Sequence, residues 1–242
     1  MRHSRIQAVS FDLDGTLLDG SVLEGVFSST CEFLAEGRPQ LRAQVLAEAN
    51  RRIWPEYWQE IEDKWMLGIL DGTSVILELW RRTLLACNCK DESTVQLAAS
   101  IFSKLDGEAC RLFDDVRDVV AALRRDGIPL ALITNGASDT QRGKLLALGI
   151  EGWFDTIVIS GELGIAKPDR RIFQLAAAGL RTAEANICHV GDELPADIGG
   201  ARAAGWTAIW LNRSGKLRSH EDPEPHLEIP SLSMLKRIHH DS

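Results

Sequence analysis

Residues 11–16 have the sequence FDLDGT and follow directly on the apolar run IQAVS at residues 6–10. The apolar run predicts a buried strand, and the Gly-Thr pair predicts a turn after it. Residues i and i+2 of a strand point the same way, so the carboxylates of Asp12 and Asp14 would crowd one small volume. A bound cation, a shared proton, or both would relieve that repulsion. The stretch therefore predicts a metal-assisted site, with one carboxylate free to attack and the other to move protons.

The second half of the chain alternates short apolar runs with helical patterns from residue 106 onward. Further strands are predicted at 128–134, 156–160, 186–190 and 207–211. The first strand must join them, because one strand cannot bury itself. This pattern predicts an α/β fold, a parallel sheet with helices on both faces. Residues 213–230 contain three prolines and many charges, and we expect a surface loop there.

Residues from about 21 to 105 have a helical pattern throughout and form an insertion between the first strand and the rest of the sheet. We therefore expect two domains, an α/β core from residues 1–18 and 106–242 and a helical domain from 19–105. Pro55 is predicted to open a new helix within the insertion.

Three tryptophans, Trp54, Trp58 and Trp65, lie with Ile61 on one face of the predicted helix. Their spacing predicts the apolar core of the helical domain. The alternative is an aromatic wall over the active site.

Polar residues also follow the later strands. Thr134 and Asn135 end the second strand, Lys167 precedes a proline, and Asp192 and Asp197 follow the strand at 186–190. Ligands of open parallel sheets bind at the carboxyl ends of the strands, so these loops are expected to converge with the aspartate pair.

Four motifs, taken together, resemble the haloacid dehalogenase superfamily of phosphotransferases. They are DLDGTL at 12–17, ITNG at 133–136, KPD at 167–169 and GDELPAD at 191–197. The resemblance covers nearly the whole predicted sheet domain. It implies a Rossmann-like core, a helical cap inserted after the first strand, a Mg²⁺ requirement and an aspartyl-phosphate intermediate.

The resemblance also implies roles for the two carboxylates that open the first motif. Asp12 would attack phosphorus in line, as carboxylate nucleophiles do. Asp14 would protonate the leaving oxygen and then deprotonate the attacking water. Mg²⁺ would be held by Asp12, Asp192 and the main-chain carbonyl of Asp14.

The remaining motif residues would bind the phosphate. Thr134 and the amide of Asn135 would bond a non-bridging oxygen, and Lys167 would balance the remaining negative charge. Asp197 would orient Lys167 or a metal-bound water.

The most favoured function is hydrolysis of a small phosphomonoester, and three alternatives remain open. Dehalogenases of the superfamily resemble this chain but lack a carboxylate at the position of Asp14, because halide needs no proton. A phosphomutase would keep both aspartates. A non-catalytic binding protein could use the same fold as a scaffold.

Composition bounds the partners and the location. The net charge of −8 argues against binding nucleic acid polymers, which usually requires a basic face, but it says little about small anionic substrates. A small phosphorylated metabolite is the partner that the resemblance implies. Residues 1–5 do not fit a secretory signal, and no apolar run approaches the ~20 residues that span a bilayer. Five cysteines without Cys-x-x-Cys spacing favour reduced thiols in the cytoplasm. A monomer and a homodimer are equally compatible with the sequence.

Overall fold

The computed structural model describes residues 6–235 of the chain. Its strands are β1 (Ala8–Phe11), β2 (Leu130–Thr134), β3 (Thr156–Ile159), β4 (Ile187–Gly191), β5 (Thr207–Leu211) and β6 (Leu227–Ile229). They form one sheet in the order β3-β2-β1-β4-β5-β6, and every neighbouring pair is parallel. The predicted α/β fold with a parallel sheet is confirmed, with β1 joined to the later strands.

Strand β1 lies in the middle of the sheet and fixes where the site forms. Phe11, its last residue, pairs with Leu132 of β2 on one side and with Val190 of β4 on the other. Strands β2 and β3 follow β1 on one side of the sheet, and β4, β5 and β6 follow it on the other. The carboxyl ends of β1, β2 and β4 therefore lie side by side, where ligands of such sheets bind.

Helices cover both faces of the sheet. They are α5 (Val116–Arg125), α6 (Ser138–Leu148), α7 (Ser160–Leu163), α8 (Arg170–Leu180) and α9 (Gly200–Ala203). Successive residues of β2 belong to two separate apolar clusters on opposite faces of the sheet, Leu132 to one and Ile133 to the other. A π-helix, Leu194–Gly199, precedes α9 and carries the end of the fourth motif. The core is thus a sheet buried on both sides, as its continuous apolar strands require.

The insertion consists of α1 (Leu23–Gly37), α2 (Ala43–Met66), α3 (Gly72–Ala86) and α4 (Glu92–Ala109). Its interior is built around the buried residues Leu34, Trp80, Leu84 and Phe102, a cluster distinct from the two clusters of the sheet. The last of these helices continues four residues past the predicted limit of 105. The division of the chain into two domains at those limits remains a prediction. No helix between residues 6 and 235 is long and apolar enough to cross a membrane.

One helix of the insertion differs from the prediction. Pro55 does not open a new helix but lies inside the continuous α2. A proline there removes a backbone donor and costs about 3 kcal/mol in an isolated helix. Ile53 and Trp54 before Pro55, and Tyr57 and Ile61 after it, pack in one cluster with Val75 and Leu79 of α3. That packing holds the helix together across the proline, because tertiary contacts dominate helix stability.

The second difference is the strand β6 within residues 213–230, where a loop was predicted. It pairs with β5 through Trp210 and Glu228. Two of its three residues are exposed, so its sequence lacks the apolar run that identified the other strands.

Candidate active site

The loop after β1 brings Asp12 to the sheet edge in a fixed position. The Asp12 amide donates to the carbonyl of Val190 across the strand pair, at 2.9 Å. Gly15 then turns the chain with a φ of +77°. A Cβ atom on Gly15 would lie 2.4 Å from a carboxylate oxygen of Asp192. Glycine is therefore required there both by the backbone angle and by the close approach of Asp192.

A buried lysine links two buried carboxylates at the centre of the site. The Lys167 ammonium donates to Oδ1 of Asp12 and to Oδ1 of Asp197, both at 2.6 Å. Only 3% of the Lys167 side chain is exposed, against 9% for Asp12 and 1% for Asp197. Burial of Asp12 raises its pKa well above the ordinary value, although Lys167 opposes the rise. The two carboxylates raise the pKa of Lys167 against the effect of its own burial, so the lysine stays charged.

Asp197 holds the lysine in place. Its Oδ1 also contacts Nε2 of His189 at 3.1 Å, and its Oδ2 accepts from the amide of Glu193 at 2.9 Å. Burial opposes ionisation of Asp197, but Lys167 and His189 lower its pKa below the ordinary value. A Cβ atom on Gly191 would lie 2.2 Å from the Asp197 carboxyl carbon, so only glycine at position 191 leaves room for this carboxylate.

Asp192 completes a compact group of carboxylates. One oxygen each from Asp12, Asp192 and Asp197 lie within 4.8 Å of one another. Asp192 accepts from the Thr16 hydroxyl at 3.1 Å, and burial, with Asp197 next, raises the pKa of Asp192 to about 6. Hard divalent cations prefer carboxylate and carbonyl oxygens, so this donor set fits Mg²⁺. A cation would also relieve the repulsion between neighbouring carboxylates, which adds to the effect of burial in raising the pKa of Asp12 and of Asp192.

Asp14 is paired with a different lysine from the one that binds Asp12. The Lys144 ammonium donates to its Oδ1 at 2.7 Å, and Gln141 Nε2 donates to its Oδ2 at 2.9 Å. Burial alone would raise the pKa of Asp14, but Lys144 and Gln141 outweigh it and lower the pKa. The Asp14 side chain is 41% exposed, far more than that of Asp12. The two carboxylates of the first motif therefore have different partners and different contact with water.

The end of β2 supplies Thr134 and Asn135. The buried Thr134 hydroxyl accepts from Gln141. The Asn135 side chain bonds the main chain of Lys167 twice, through the Lys167 carbonyl at 3.0 Å and the Lys167 amide at 2.8 Å. Asn135 thus positions Lys167 with its side chain, which leaves its main-chain amide for the predicted phosphate contact.

Sequence reasoning missed two of these residues, Gln141 and Lys144. Both belong to α6, which begins at Ser138, four residues after Thr134. Their spacing of three places them on the same side of the helix. The position of α6 could have identified them. Side chains of a helix are tilted toward its N-terminus, so polar residues in the first two turns of a helix that starts at a motif loop can contact that loop.

A cavity of about 520 Å³ lies between the insertion and the sheet domain, and Asp14 and Lys144 line it. Five aromatic residues form much of its wall: Phe27, Trp54, Trp58, Trp65 and Phe102. The three tryptophans are half-buried and pack beside Tyr57 and Ile61 of the insertion. The same three side chains therefore pack against the apolar cluster of the insertion and also line the cavity beside Asp14.

Polar contacts made by Asp139 and Ser160 join the insertion to the sheet domain around this cavity. Asp139 of α6 accepts from the amides of Gly72 and Thr73 at 2.8 and 3.0 Å, at the beginning of α3. Ser160 donates to the carbonyl of Met66 at the end of α2 and accepts from the amide of Gly136. These contacts place the insertion over the carboxyl ends of the strands.

The family model of haloacid dehalogenase-like hydrolases matches residues 6–205. The chain belongs to this family. It is 42% identical to a phosphoserine phosphatase from Thermus thermophilus, over 91% of this chain and 94% of the relative. The predicted enzyme class of haloacid dehalogenase-type hydrolase is thereby confirmed.

Solved structures of the family share the fold. The magnesium-bound HAD-hydrolase YfnB from Bacillus subtilis superposes with a TM-score of 0.72, with 24% identity and coverage of 97% of this chain and 99% of that one. A 2-haloacid dehalogenase from Pseudomonas syringae pv. Tomato DC3000 gives a TM-score of 0.69 at 27% identity, covering 96% and 97% of the two chains. Phosphatases and dehalogenases are thus both similar to this hydrolase.

Proposed function

We propose that this hydrolase is a Mg²⁺-dependent phosphatase that acts on a small phosphomonoester through an aspartyl-phosphate intermediate. The observation that carries the proposal is the different environment of the two aspartates in the first motif. Asp12 is buried against Lys167, whereas Asp14 is half-exposed and bonded to Lys144 and Gln141. One carboxylate is suited to attack a phosphoryl group, and the other is suited to exchange protons with water and a leaving group.

Asp12 is the nucleophile in this proposal. Lys167 binds its Oδ1, and between residues 6 and 235 its Oδ2 has no hydrogen-bond partner. A carboxylate oxygen of Asp12 forms a bond to phosphorus while the bond from phosphorus to the leaving oxygen breaks. Lys167 and Thr134 hold non-bridging oxygens during this transfer, which stabilises the charge that they carry.

Asp14 transfers the protons. A phosphate dianion beside Asp14 raises the pKa of this carboxyl by like-charge repulsion, and the acid then protonates the leaving oxygen. In the second step water attacks the phosphoryl group, Asp14 takes the proton of that water, and the bond from phosphorus to Asp12 breaks. Lys144 and Gln141 lower the pKa of Asp14 and so favour the carboxylate that this second step needs.

Asp12, Asp192 and the main-chain carbonyl of Asp14 would hold the Mg²⁺ ion. When bound, the ion neutralises charge on the phosphoryl oxygens and on the carboxylates. Asp197 is not needed as a ligand, because both of its oxygens already accept hydrogen bonds from Lys167, His189 and Glu193.

The expected substrate is a small phosphorylated metabolite and not a nucleic acid polymer. The cavity beside Asp14 has a volume of about 520 Å³, which suits a metabolite-sized leaving group. The net charge of −8 disfavours polymeric phosphate. The five cysteines are all free, which is consistent with the proposed cytoplasmic location.

Dehalogenation is the second candidate, and the similarity to a 2-haloacid dehalogenase favours it. Asp14 argues against it. A halide leaves without a proton, so a dehalogenase has no use for a carboxylate that is bonded to a lysine and a glutamine at this position.

The test is an assay of the wild type with p-nitrophenyl phosphate, with Mg²⁺ and after EDTA treatment. We expect hydrolysis with Mg²⁺, loss with EDTA and recovery when Mg²⁺ is added back. Asp12→Asn should abolish turnover without unfolding the protein, whereas the control Asp126→Asn, at an exposed position, should leave the rate unchanged. Steady-state hydrolysis by Asp12→Asn would overturn the nucleophile assignment. Chloride release from a 2-haloacid, without phosphate release from the ester, would favour the dehalogenase.

A further inference from the structure

The cavity between the insertion and the sheet domain combines aromatic walls with an unpaired acid. We propose that it binds a positively charged ammonium group on the leaving alcohol, so that the substrates are phosphomonoesters of amino alcohols. The inference rests on the proposed phosphatase function and specifies its substrate class. Asp106, at the α4 side of the cavity, and the tryptophans of α2 are the residues that carry it.

Asp106 differs from the other acids that line the cavity. Lys144 pairs with Asp14, Arg111 pairs with Asp19, and the amides at the beginning of α3 bond Asp139. The half-buried carboxylate of Asp106 has no hydrogen bond or ion pair with any residue from 6 to 235. Burial raises the pKa of Asp106, against the effect of Lys144. A cation in the cavity would give this carboxylate the partner that the protein does not provide.

The aromatic wall suits a compact cation better than a flat ring. Trp54 and Trp58 have ring centroids 5.2 Å apart and are inclined by 36°, and Trp58 and Trp65 are 5.1 Å apart and inclined by 63°. A planar base can be held between two rings only where their faces are parallel, whereas inclined rings form a curved surface. An ammonium group within about 6 Å of such rings is attracted by their negative faces, most strongly by tryptophan.

A leaving group with a carboxylate as its only charge finds little support in this cavity. Four aspartates line it, and Lys144 is the one basic residue among the described residues of its wall. Lys144 is already bonded to Asp14 and Gln141. The substrate that fits the charges is therefore a zwitterion, with its phosphate at Lys167 and its ammonium group at Asp106.

The test compares two substrates of nearly the same shape, 2-(trimethylammonio)ethyl phosphate and the neutral 3,3-dimethylbutyl phosphate. Their intrinsic reactivities differ, so the quantity to measure is how the ratio of their kcat/KM values changes between variants. We expect Asp106→Asn to lower the cationic-to-neutral ratio about tenfold, which corresponds to about 1.4 kcal/mol. Trp58→Leu keeps an apolar side chain but removes the ring, and we expect it to lower the ratio about fivefold.

Glu108→Gln is the matched control, because it removes an exposed carboxylate from the same helix. Its ratio should equal that of the wild type. The inference is overturned if the ratio stays unchanged in both Asp106→Asn and Trp58→Leu, or if the wild type hydrolyses p-nitrophenyl phosphate but neither member of the pair. Failure of the wild type to hydrolyse p-nitrophenyl phosphate with Mg²⁺ would instead refute the proposed phosphatase function.

Discussion

Replacement of Lys167 by methionine tests whether burial or distance determines the energy of the ion pairs in this site. Lys167→Met keeps the length of an apolar stem and removes the charge between Asp12 and Asp197. Both carboxylates lose a contact of 2.6 Å. Asp197 retains His189 and the amide of Glu193, whereas Asp12 loses the cation that opposes the rise of its pKa.

The expected loss of stability is large. Removal of one partner from a buried ion pair costs about 3–5 kcal/mol, because it leaves an uncompensated charge. For a chain of this size each kcal/mol lowers the melting temperature by about 2–4 °C, so the variant should melt about 6–20 °C below the wild type. The loss should be smaller at low pH. Without Lys167 the pKa of Asp12 in the folded protein rises further. The free-energy cost of ionising Asp12 in the folded protein therefore grows as the pH rises from the pKa of Asp12 in the unfolded chain toward its pKa in the folded protein.

The assay is thermal unfolding of metal-free protein at pH 7.5 and pH 5, with Lys144→Met as the control. Lys144 contacts Asp14 at 2.7 Å, nearly the same distance, but the Asp14 side chain is 41% exposed. Solvent screening limits that pair to less than about 1 kcal/mol. Equal melting temperatures for the two variants would refute the argument that burial sets the cost. In the double variant Asp12→Asn/Lys167→Met, part of the lost stability should return, and strict additivity would also contradict the reasoning.

Two further predictions concern Asp14 and the contact between the two halves of the molecule. Asp14→Ala should lower kcat about 10²–10⁴-fold for alkyl phosphates and much less for aryl phosphates, because a good leaving group needs no proton; equal losses would count against the acid role. Asp139→Asn should cost about 1 kcal/mol at pH 7, measured by urea unfolding, because the anion caps α3 through Gly72 and Thr73. These amides lower the pKa of Asp139 although burial opposes them, so the difference from wild type should disappear as the pH falls through about 4 and below; a difference that is the same at pH 7 and pH 3 would argue against the charged cap.

The parts of the fold that could be predicted from the sequence are those with a local signal. The buried strands β1, β2, β4 and β5 are short apolar runs, and each of the first three ends in a polar motif. Because carboxyl ends of neighbouring parallel strands meet at one edge, the predicted parallel sheet and the position of the motifs after its strands together predicted that distant residues converge. The contacts of Lys167 with Asp12 and Asp197 follow from that topology.

The parts that could not be predicted depend on tertiary contacts. Strand β6 has one buried residue and forms because β5 offers a free edge. Helix α2 continues through Pro55 because α3 packs against residues on both sides of it. Asp106 lies on an amphipathic helix where an acid is ordinarily solvated, and only the position of α4 over the aromatic cavity makes it distinctive.

The contrast between Asp12 and Asp14 shows how one fold gives two opposite roles to the same residue type. Two positions separate them in the chain, yet burial raises the pKa of Asp12, and Lys144 with Gln141 lowers that of Asp14 against burial. The difference comes from where the chain leaves the sheet: Asp12 still bonds the neighbouring strand, while Asp14 has entered the turn and contacts α6. A buried carboxylate held by one lysine suits attack on phosphorus, and a half-exposed one suits proton exchange. The exit of the chain from the sheet between Asp12 and Asp14 therefore does more than end a strand, because it separates the two carboxylates into the two environments that the chemistry requires.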